Sequence, residues 1–488
     1  MSRSDRTTSF VGTTPRTAGH APVSNLQSRR WLPLALLGIA QFMIILDVTV
    51  VNVALPSIGA DLHLGRAGLS WVVTTYSLAF GGFMLFGGRM ADVLGRRRTF
   101  VSGLTLFTVA SLASGLAGAG AALIVARAAQ GLGAALASPA ALAIIVTTFE
   151  GSERDRALGV WAALGAAGAA VGSVLGGALV SGPGWRWIFF INLPVGVAVL
   201  SRVGVVVAAD VRSHRADKLD LRGALLATAG VGLLVYGLVV AGDRGWTSRQ
   251  AIAALLAGAS TIAMFARAER RHPSPLLRLE LLARRRVAAG TLIMFAASGL
   301  LVGGLFLTSL LMQRTLGASA FQTGLAFLPV AIATAAGAHL GAHFIEHLGP
   351  RPLGVAAFTL AAAGLAWMAR VPDGARALIG VLPGFLLAAV GLGAALLLAT
   401  TIALGNVDEA ESGVAGGVVN TSHEIGAAIG VAFVSTIAGG AIGVGAGPGG
   451  FGHAYLASGI VAALVAVAAS RLVPSGRLTS LPGRRFGH

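Results

Sequence analysis

Residues 32–56 read LPLALLGIAQFMIILDVTVVNVALP. Only Gln41, Asp47, Thr49 and Asn52 interrupt the apolar character of this run. A helix needs about 20 mainly apolar residues to cross a hydrocarbon core of about 30 Å, so the run is long enough. A secretory signal has a shorter apolar core followed by a small-residue cleavage site. This run carries Asp47 and leads into further apolar runs, so it reads as a retained membrane helix. The polar head before it, residues 1–31, is rich in Ser, Thr and Arg and reads as a disordered cytoplasmic tail.

The remaining chain repeats the pattern. Of 488 residues, 55% are hydrophobic and 11% are charged, and the mean hydropathy is +0.80. Soluble domains are about a quarter charged, so the composition excludes a soluble enzyme, a disordered chain and a fibrous protein. Cysteine is absent, which excludes disulfides, thiolate zinc sites and a cysteine nucleophile. The patterns GxxxxGK[ST], HExxH and GxSxG are absent too. No enzyme activity, cofactor or resident metal is expected.

Fourteen candidate spans follow from length and apolarity: 32–56, 70–88, 99–117, 121–146, 158–181, 187–208, 222–241, 250–267, 288–312, 321–344, 352–370, 376–404, 413–439 and 453–473. With the N-terminus in the cytoplasm, 27 of the 36 basic residues fall on that side and 7 on the other, while Arg127 and Arg202 lie inside spans. Cytoplasmic loops carry the excess of Lys and Arg. The asymmetry predicts both termini inside and an even number of helices. It also explains the net charge of +17 as a record of orientation, so no nucleic-acid partner is expected.

Two loops resemble each other. Residues 87–98 read GGRMADVLGRRR and residues 341–352 read GAHFIEHLGPRP. As equivalent positions in two halves, they predict an all-α polytopic protein with a 6+2+6 arrangement. The units are an N-terminal six-helix bundle over 32–208, a two-helix insertion with cytoplasmic loops over 209–287, a C-terminal six-helix bundle over 288–473 and a cytoplasmic tail over 474–488. Parallel six-helix repeats are one transporter design, with the substrate site at the repeat interface near the midplane.

Four segments resemble the fourteen-span drug:proton antiporters of the major facilitator superfamily. LDVTVVNVALP (46–56) is similar to the first-helix motif through Asp47, Thr49, Asn52 and Pro56. GRMADVLGRRR (88–98) is similar to the loop motif after helix 2 through Gly88, Asp92, Gly95 and Arg96. RAAQG (127–131) is similar to the fourth-helix motif through Arg127, Gln130 and Gly131. GSVLGGALV (172–180) with WRWIFFINLPVG (185–196) resembles the fifth-helix antiporter motif and the aromatic entry to helix 6. Ser173 stands where that motif usually has proline. The resemblance implies a multi-pass protein of the plasma membrane. It implies multidrug efflux, and hence antibiotic resistance, by exchange of small amphipathic or cationic molecules for protons. The alternatives are a dedicated exporter of one metabolite, such as an antibiotic or siderophore, and a non-transporting membrane sensor. The expected partners are a small-molecule substrate, protons and the lipid bilayer, and the expected state is a monomer.

Charge inside a membrane is costly and marks function by default. Asp47 and Arg127 fall at similar depth, roughly 13 Å and 10 Å from the same end of their spans at about 1.5 Å per residue. Burial favours neutral Asp47 and a nearby cation favours its charged form, a competition suited to reversible protonation. Asp47, Arg127 and Glu424 are therefore candidates for proton coupling, with a static ion pair or a snorkelling Arg127 as the alternative for the first two. Asn52, Gln130, His423 and Glu424 are candidates for the substrate cavity; for Glu424 the alternatives are a hydrated cavity or the seam between halves. The resemblance makes Gly88, Asp92, Gly95 and Arg96 a conformational latch, against a purely topogenic role. Gly165, Gly168, Gly172, Gly176 and Gly177 form a small-residue stripe that permits close helix contact. The resemblance makes the last four the helix-5 antiporter motif, and a contact between the halves would suit alternating access. Arg202 is expected to snorkel to the interface. His339 and His343 share a helix face with His347; they are expected to be polar lining residues, the alternative being a metal site.

Overall fold

A computed structural model of the chain describes residues 24–208, 220–272, 275–277, 279–370, 380–405, 407, 409–439 and 449–473. All regular elements among them are helical. The first group is α1 (Ser24–Asp61), α2 (Arg66–Leu94), α3 (Arg96–Gly115), α4 (Gly120–Thr148), α5 (Gly151–Ser181), α6 (Trp187–Phe190) and α7 (Asn192–Val206). Then come α8 (Leu221–Arg244), α9 (Arg249–Glu269) and the short α10 (Leu279–Ala283). The last group is α11 (Arg285–Leu310), which runs into a π turn (Leu311–Thr315), α12 (Ala320–Leu348), α13 (Pro350–Met368), α14 (Leu382–Leu404), α15 (Glu409–Ala438) and α16 (Gly449–Leu472). The tails 1–23 and 474–488 lie outside the described residues.

Among the described residues, twelve spans, α6 and α7 together making one, are long and apolar enough to cross a membrane. Two further helices pack in the same bundle. One is α3, with 20 residues, which opens on Arg96–Arg98. The other is α15, with 30 residues, which carries Asn420 to Glu424 in mid-run.

The packing shows the internal repeat. In the first bundle α3 packs on α4, α2 on α4, α1 on α5 and α3 on α7. In the second, α13 packs on α14, α12 on α14, α11 on α15 and α13 on α16. The two similar loops sit at equivalent places: Gly95 joins α2 to α3 with φ 106°, and Gly349 joins α12 to α13 with φ 84°. Both conformations are in the region that favours glycine. Two residues later an arginine caps the last helix of its half. Arg97 Nη1 donates to the Val207 carbonyl at 3.3 Å, and Arg351 Nε donates to the Val473 carbonyl at 3.0 Å. Cations at a helix C-terminus satisfy its free carbonyls and its dipole.

The bundle thus has a Gly95 end and, opposite, an Asp61 end. At the Asp61 end the halves are joined. Pro56 has no N–H to offer the Asn52 carbonyl one turn earlier, and Ser309 Oγ of α11 donates to that carbonyl at 2.6 Å. Gln313, in the π turn, donates to the next carbonyl, Val53, at 2.9 Å. Nearby, the Phe321 N–H of α12 donates to Ser181 Oγ of α5 at 3.1 Å. Beyond Gly324, α12 is exposed on most sides: His339, Leu340, His343, Phe344 and Leu348 are open, while Gly337 and Gly341 stay buried against α14. On α5, Gly159, Val160, Ala162 and Ala163 are open as well. Toward the Gly95 end, α5 and α12 thus both present open flanks.

The helix pair α8 and α9 lies along the other seam. α2 and α15 meet from Leu85 and Gly417 to Arg66 and Ser435, and α8 packs over both. Gly82 of α2 makes room for Thr228 of α8. Arg66 pairs with Asp243 and donates to the Val239 carbonyl at 2.9 Å and to Ser435 Oγ at 3.4 Å. Thr436 Oγ1 of α15 donates to the Leu238 carbonyl at 2.8 Å. α9 packs on α8 and leaves Ile252, Leu256 and Met264 exposed.

Candidate functional site

The first bundle encloses a charged centre. The expected depths of Asp47 on α1 and Arg127 on α4 place them level, and the structure joins them: Arg127 Nη1 donates to Asp47 Oδ2 at 2.5 Å. Gln130 lies one turn after Arg127, on the same face. It accepts from Arg127 Nη1 at 2.8 Å and donates to Asp47 Oδ1 at 2.8 Å. Asn192 Nδ2 donates to Asp47 Oδ1 at 2.9 Å and to Ser111 Oγ at 3.0 Å. Ser111 also accepts from Gln130 Nε2 at 3.2 Å. The carboxylate thus accepts three hydrogen bonds from three side chains, two of them neutral.

Backbone chemistry positions the outer members. Pro194 cannot donate within a helix, and the chain turns at Ile191 between α6 and α7. Asn192 begins the restarted helix, and the Phe189 carbonyl beside the turn accepts from Ser111 Oγ at 2.9 Å. The Arg127 guanidinium carbon lies 4.2 Å from the Tyr76 ring centre and 5.8 Å from that of Phe189, an arrangement in which aromatic faces stabilise a cation. Arg127 Nε donates to the Val72 carbonyl at 3.3 Å. Asp47, Arg127, Gln130, Asn192 and Tyr76 are each at most 1% exposed. A buried pair of this kind tolerates its desolvation only with good geometry and further hydrogen bonds, and both are present. In this conformation the centre is closed to water.

The other singled-out residues are distributed around it. Asn52 is 2% exposed; its Nδ2 donates to the Val48 carbonyl at 3.0 Å, within the closed α1–α11 seam. Gln130 belongs to the ion-pair centre, so neither lines free space here. Glu424 lies on α15 against Gly81 of α2, where Ser77 hydrogen-bonds its carboxylate. Tyr76 stands next to Ser77 on α2, and its buried hydroxyl has no hydrogen-bond partner among the described residues. The His423 carbonyl accepts from Ser298 Oγ of α11 at 2.7 Å. His423 and Glu424 are partly exposed, unlike the Asp47 centre.

The glycine stripe of α5 faces mainly within its own half. Gly165, Gly168, Gly172 and Gly176 meet Phe42, Ile45, Leu46, Thr49 and Val50 of α1. Gly177 and Ser173 cross to the other half, against Ala320, Phe321 and Gly324 of α12. Asp92 is exposed on the last turn of α2, and Gly88 and Arg96 are partly exposed beside it. Arg202 is exposed. His339, His343 and His347 are exposed on α12, the last two with ring centres 4.9 Å apart.

Sequence reasoning missed Ser111, Asn192, Ser309 and Gln313. Asn192 and Gln313 interrupt apolar runs, a weak signal. It also missed Asp220 and Glu269 at the Gly95 end of α8 and α9, which are 5% and 3% exposed. Asp220 caps α8 through the Gly223 N–H at 2.7 Å, and Glu269 accepts from the Leu277 N–H at 2.9 Å.

The architecture and the sequence have relatives. The puromycin resistance protein of Streptomyces alboniger is 40% identical over 419 residues, covering 85% of this chain and 82% of its own. The cephamycin export protein of Amycolatopsis lactamdurans is 38% identical, covering 82% and 83%. A multidrug resistance protein of Mycobacterium tuberculosis is 37% identical, covering 83% and 75%. Among solved structures, an inward-facing bacterial homologue of the human lysosomal transporter Spinster shares the fold, with a TM-score of 0.64 at 17% identity, covering 91% of this chain and 97% of that one. The sequence profile described as Major Facilitator Superfamily matches residues 37–431. With two repeated helical bundles, a buried charged centre in the first and a profile match across most of its length, the chain belongs to the Major Facilitator Superfamily.

Proposed function

We propose that this protein is a proton-coupled exporter of amphipathic or cationic small molecules, with fourteen spans in a 6+2+6 order and both termini in the cytoplasm. The observation that carries the reading is the buried Asp47–Arg127 pair in one of two bundles that are bonded to each other at the Asp61 end and packed along α2 and α15, with α5 and α12 open toward the Gly95 end. A transporter that exchanges a proton for a cation needs a carboxylate whose charge depends on the conformation around it. Asp47 accepts hydrogen bonds from three donors here, and a rearrangement that withdraws Arg127 would remove the one cation among them. Glu424, at the seam and partly exposed, is the second candidate for a proton or a cationic substrate. The relatives named as resistance and export proteins support export as the direction of transport. The exposed turn around Asp92 fits a latch that is open in this state.

The test is an efflux-deficient strain challenged with a panel of cationic and neutral drugs, together with substrate-loaded vesicles under an imposed pH gradient. Broad resistance that Asp47→Asn abolishes is the expected result. Full proton-driven transport by that variant overturns the coupling role. A second reading is favoured by relatives named for one compound each, puromycin and cephamycin: export of a single metabolite. Resistance to one compound of the panel distinguishes it.

A further inference from the structure

The second bundle carries a groove of about 660 Å³ on the flank formed by α13 and α16. Val355, Ala356, Thr359, Leu360 and Ala363 form its wall at spacings that place them along one face of α13. Arg351 stands at its mouth, and none of its lining residues belongs to the Asp47 centre or to the seams between halves. Arg351 Nε is tied to the Val473 carbonyl at 3.0 Å, while its Nη groups make no hydrogen bond among the described residues. Arg285 grips the same helix terminus, donating to the carbonyls of Arg471 at 2.6 Å and Leu472 at 3.2 Å. Three arginines, Arg285, Arg351 and Arg471, therefore gather where α16 ends. No carboxylate lines the groove.

The dimensions match one leaflet of a bilayer. Arg351 and Ala363 are twelve positions apart on α13, about 18 Å along a helix. Half of a hydrocarbon core is about 15 Å. An apolar trough of that length with a fixed guanidinium at its polar end complements a lipid with a phosphate at its head. Basic pockets between membrane helices bind anionic headgroups.

We propose that this groove holds one anionic phospholipid, with its phosphate against Arg351 and an acyl chain laid along Val355, Thr359 and Ala363. The lipid thereby braces α13 against α16. The test is native mass spectrometry of the full chain in mild detergent, with phosphatidylglycerol and phosphatidylcholine of matched chains added in equal amounts. Wild type should retain phosphatidylglycerol preferentially, by about fivefold for each arginine that reaches the headgroup. Ala356→Trp places a ring in the groove from an exposed position and should lose the retained lipid at an unchanged melting temperature in detergent. Arg351→Gln should retain lipid without headgroup preference. Equal retention of the two lipids by wild type overturns the proposal, and so does undiminished phosphatidylglycerol on Ala356→Trp. If Arg351→Gln fails to fold, Ala356→Trp decides alone, because it leaves the Arg351–Val473 bond in place.

Discussion

Neutralising the buried pair one member at a time, and then together, separates a structural role from a proton-exchanging one. Arg127 and Asp47 are in direct contact at 2.5 Å and 2% or less exposed. Two unit charges about 4 Å apart at an effective dielectric of about 20 attract by about 4 kcal/mol. Removing one partner of a buried pair costs about 3–5 kcal/mol, because the other charge stays behind. Asp47→Asn leaves the guanidinium with Gln130, the Val72 carbonyl and the Tyr76 ring. Arg127→Gln leaves the carboxylate with Gln130 and Asn192. Each single variant should therefore shift the folded-to-unfolded ratio by roughly a thousandfold. The double variant removes both charges and should recover about 3 kcal/mol of that loss. Melting of the purified protein, followed through its seven tryptophans, reads the stability. Vesicles with an imposed pH gradient read the coupling. The double variant should be nearly as stable as wild type and still uncoupled. Single variants that melt like wild type refute the electrostatic account. A stable double variant with full proton-driven transport refutes the role of Asp47 in coupling.

Three further expectations rest on other contacts. A Cβ on Gly172 would lie 2.0 Å from Thr49 Oγ1 and 3.0 Å from the Leu46 carbonyl; Gly172→Ala should cost about 1–3 kcal/mol by overpacking, and adding Thr49→Ala should restore part of the melting temperature. The chain has no cysteine of its own, and Ser181 Oγ is 3.1 Å from the Phe321 nitrogen; the pair Ser181→Cys and Phe321→Cys should form a disulfide on oxidation, stop transport and release it on reduction, and no cross-link would place α5 and α12 apart at this end. Arg66→Ala strands Ser435 and the Val239 carbonyl; because Asp243 is 46% exposed the ion pair itself weighs little, so the melting experiment should show a loss of about 1–2 kcal/mol from the buried bonds.

The charged members of the site were legible because charge in a membrane is rare and depth can be counted along a span. Asp47 and Arg127 stand out in apolar runs, and Gln130 follows Arg127 by one turn. Ser111 and Asn192 were not legible to the same degree. A neutral polar side chain costs little in an apolar run, and its partner is set by how α3, α4 and α7 cross. The glycine stripe shows the complementary limit: spacing reveals that a neighbour approaches closely, not that the neighbour is α1 for four of the glycines and α12 for Gly177. The two similar loops were legible as a repeat, and φ values of the same sign at Gly95 and Gly349 give the physical reason. The grip of Arg97 and Arg351 on the last carbonyls of their halves was hidden, because those partners are more than a hundred residues away in sequence.

The placement of α8 has a mechanical consequence. One helix is bonded to α2 through Arg66 and to α15 through Thr436, so it behaves like the spine of a book whose covers are the two bundles. The bundles are also bonded at the Asp61 end, where Phe321 of α12 meets Ser181 of α5, so a swing about that spine opens widest at the Gly95 ends of α5 and α12. The helices nearest the spine then travel little while those at the free edge travel far. Glu424, beside the spine, would keep its neighbours on α2 throughout the swing, and the open flanks of α5 and α12 would bear most of the displacement.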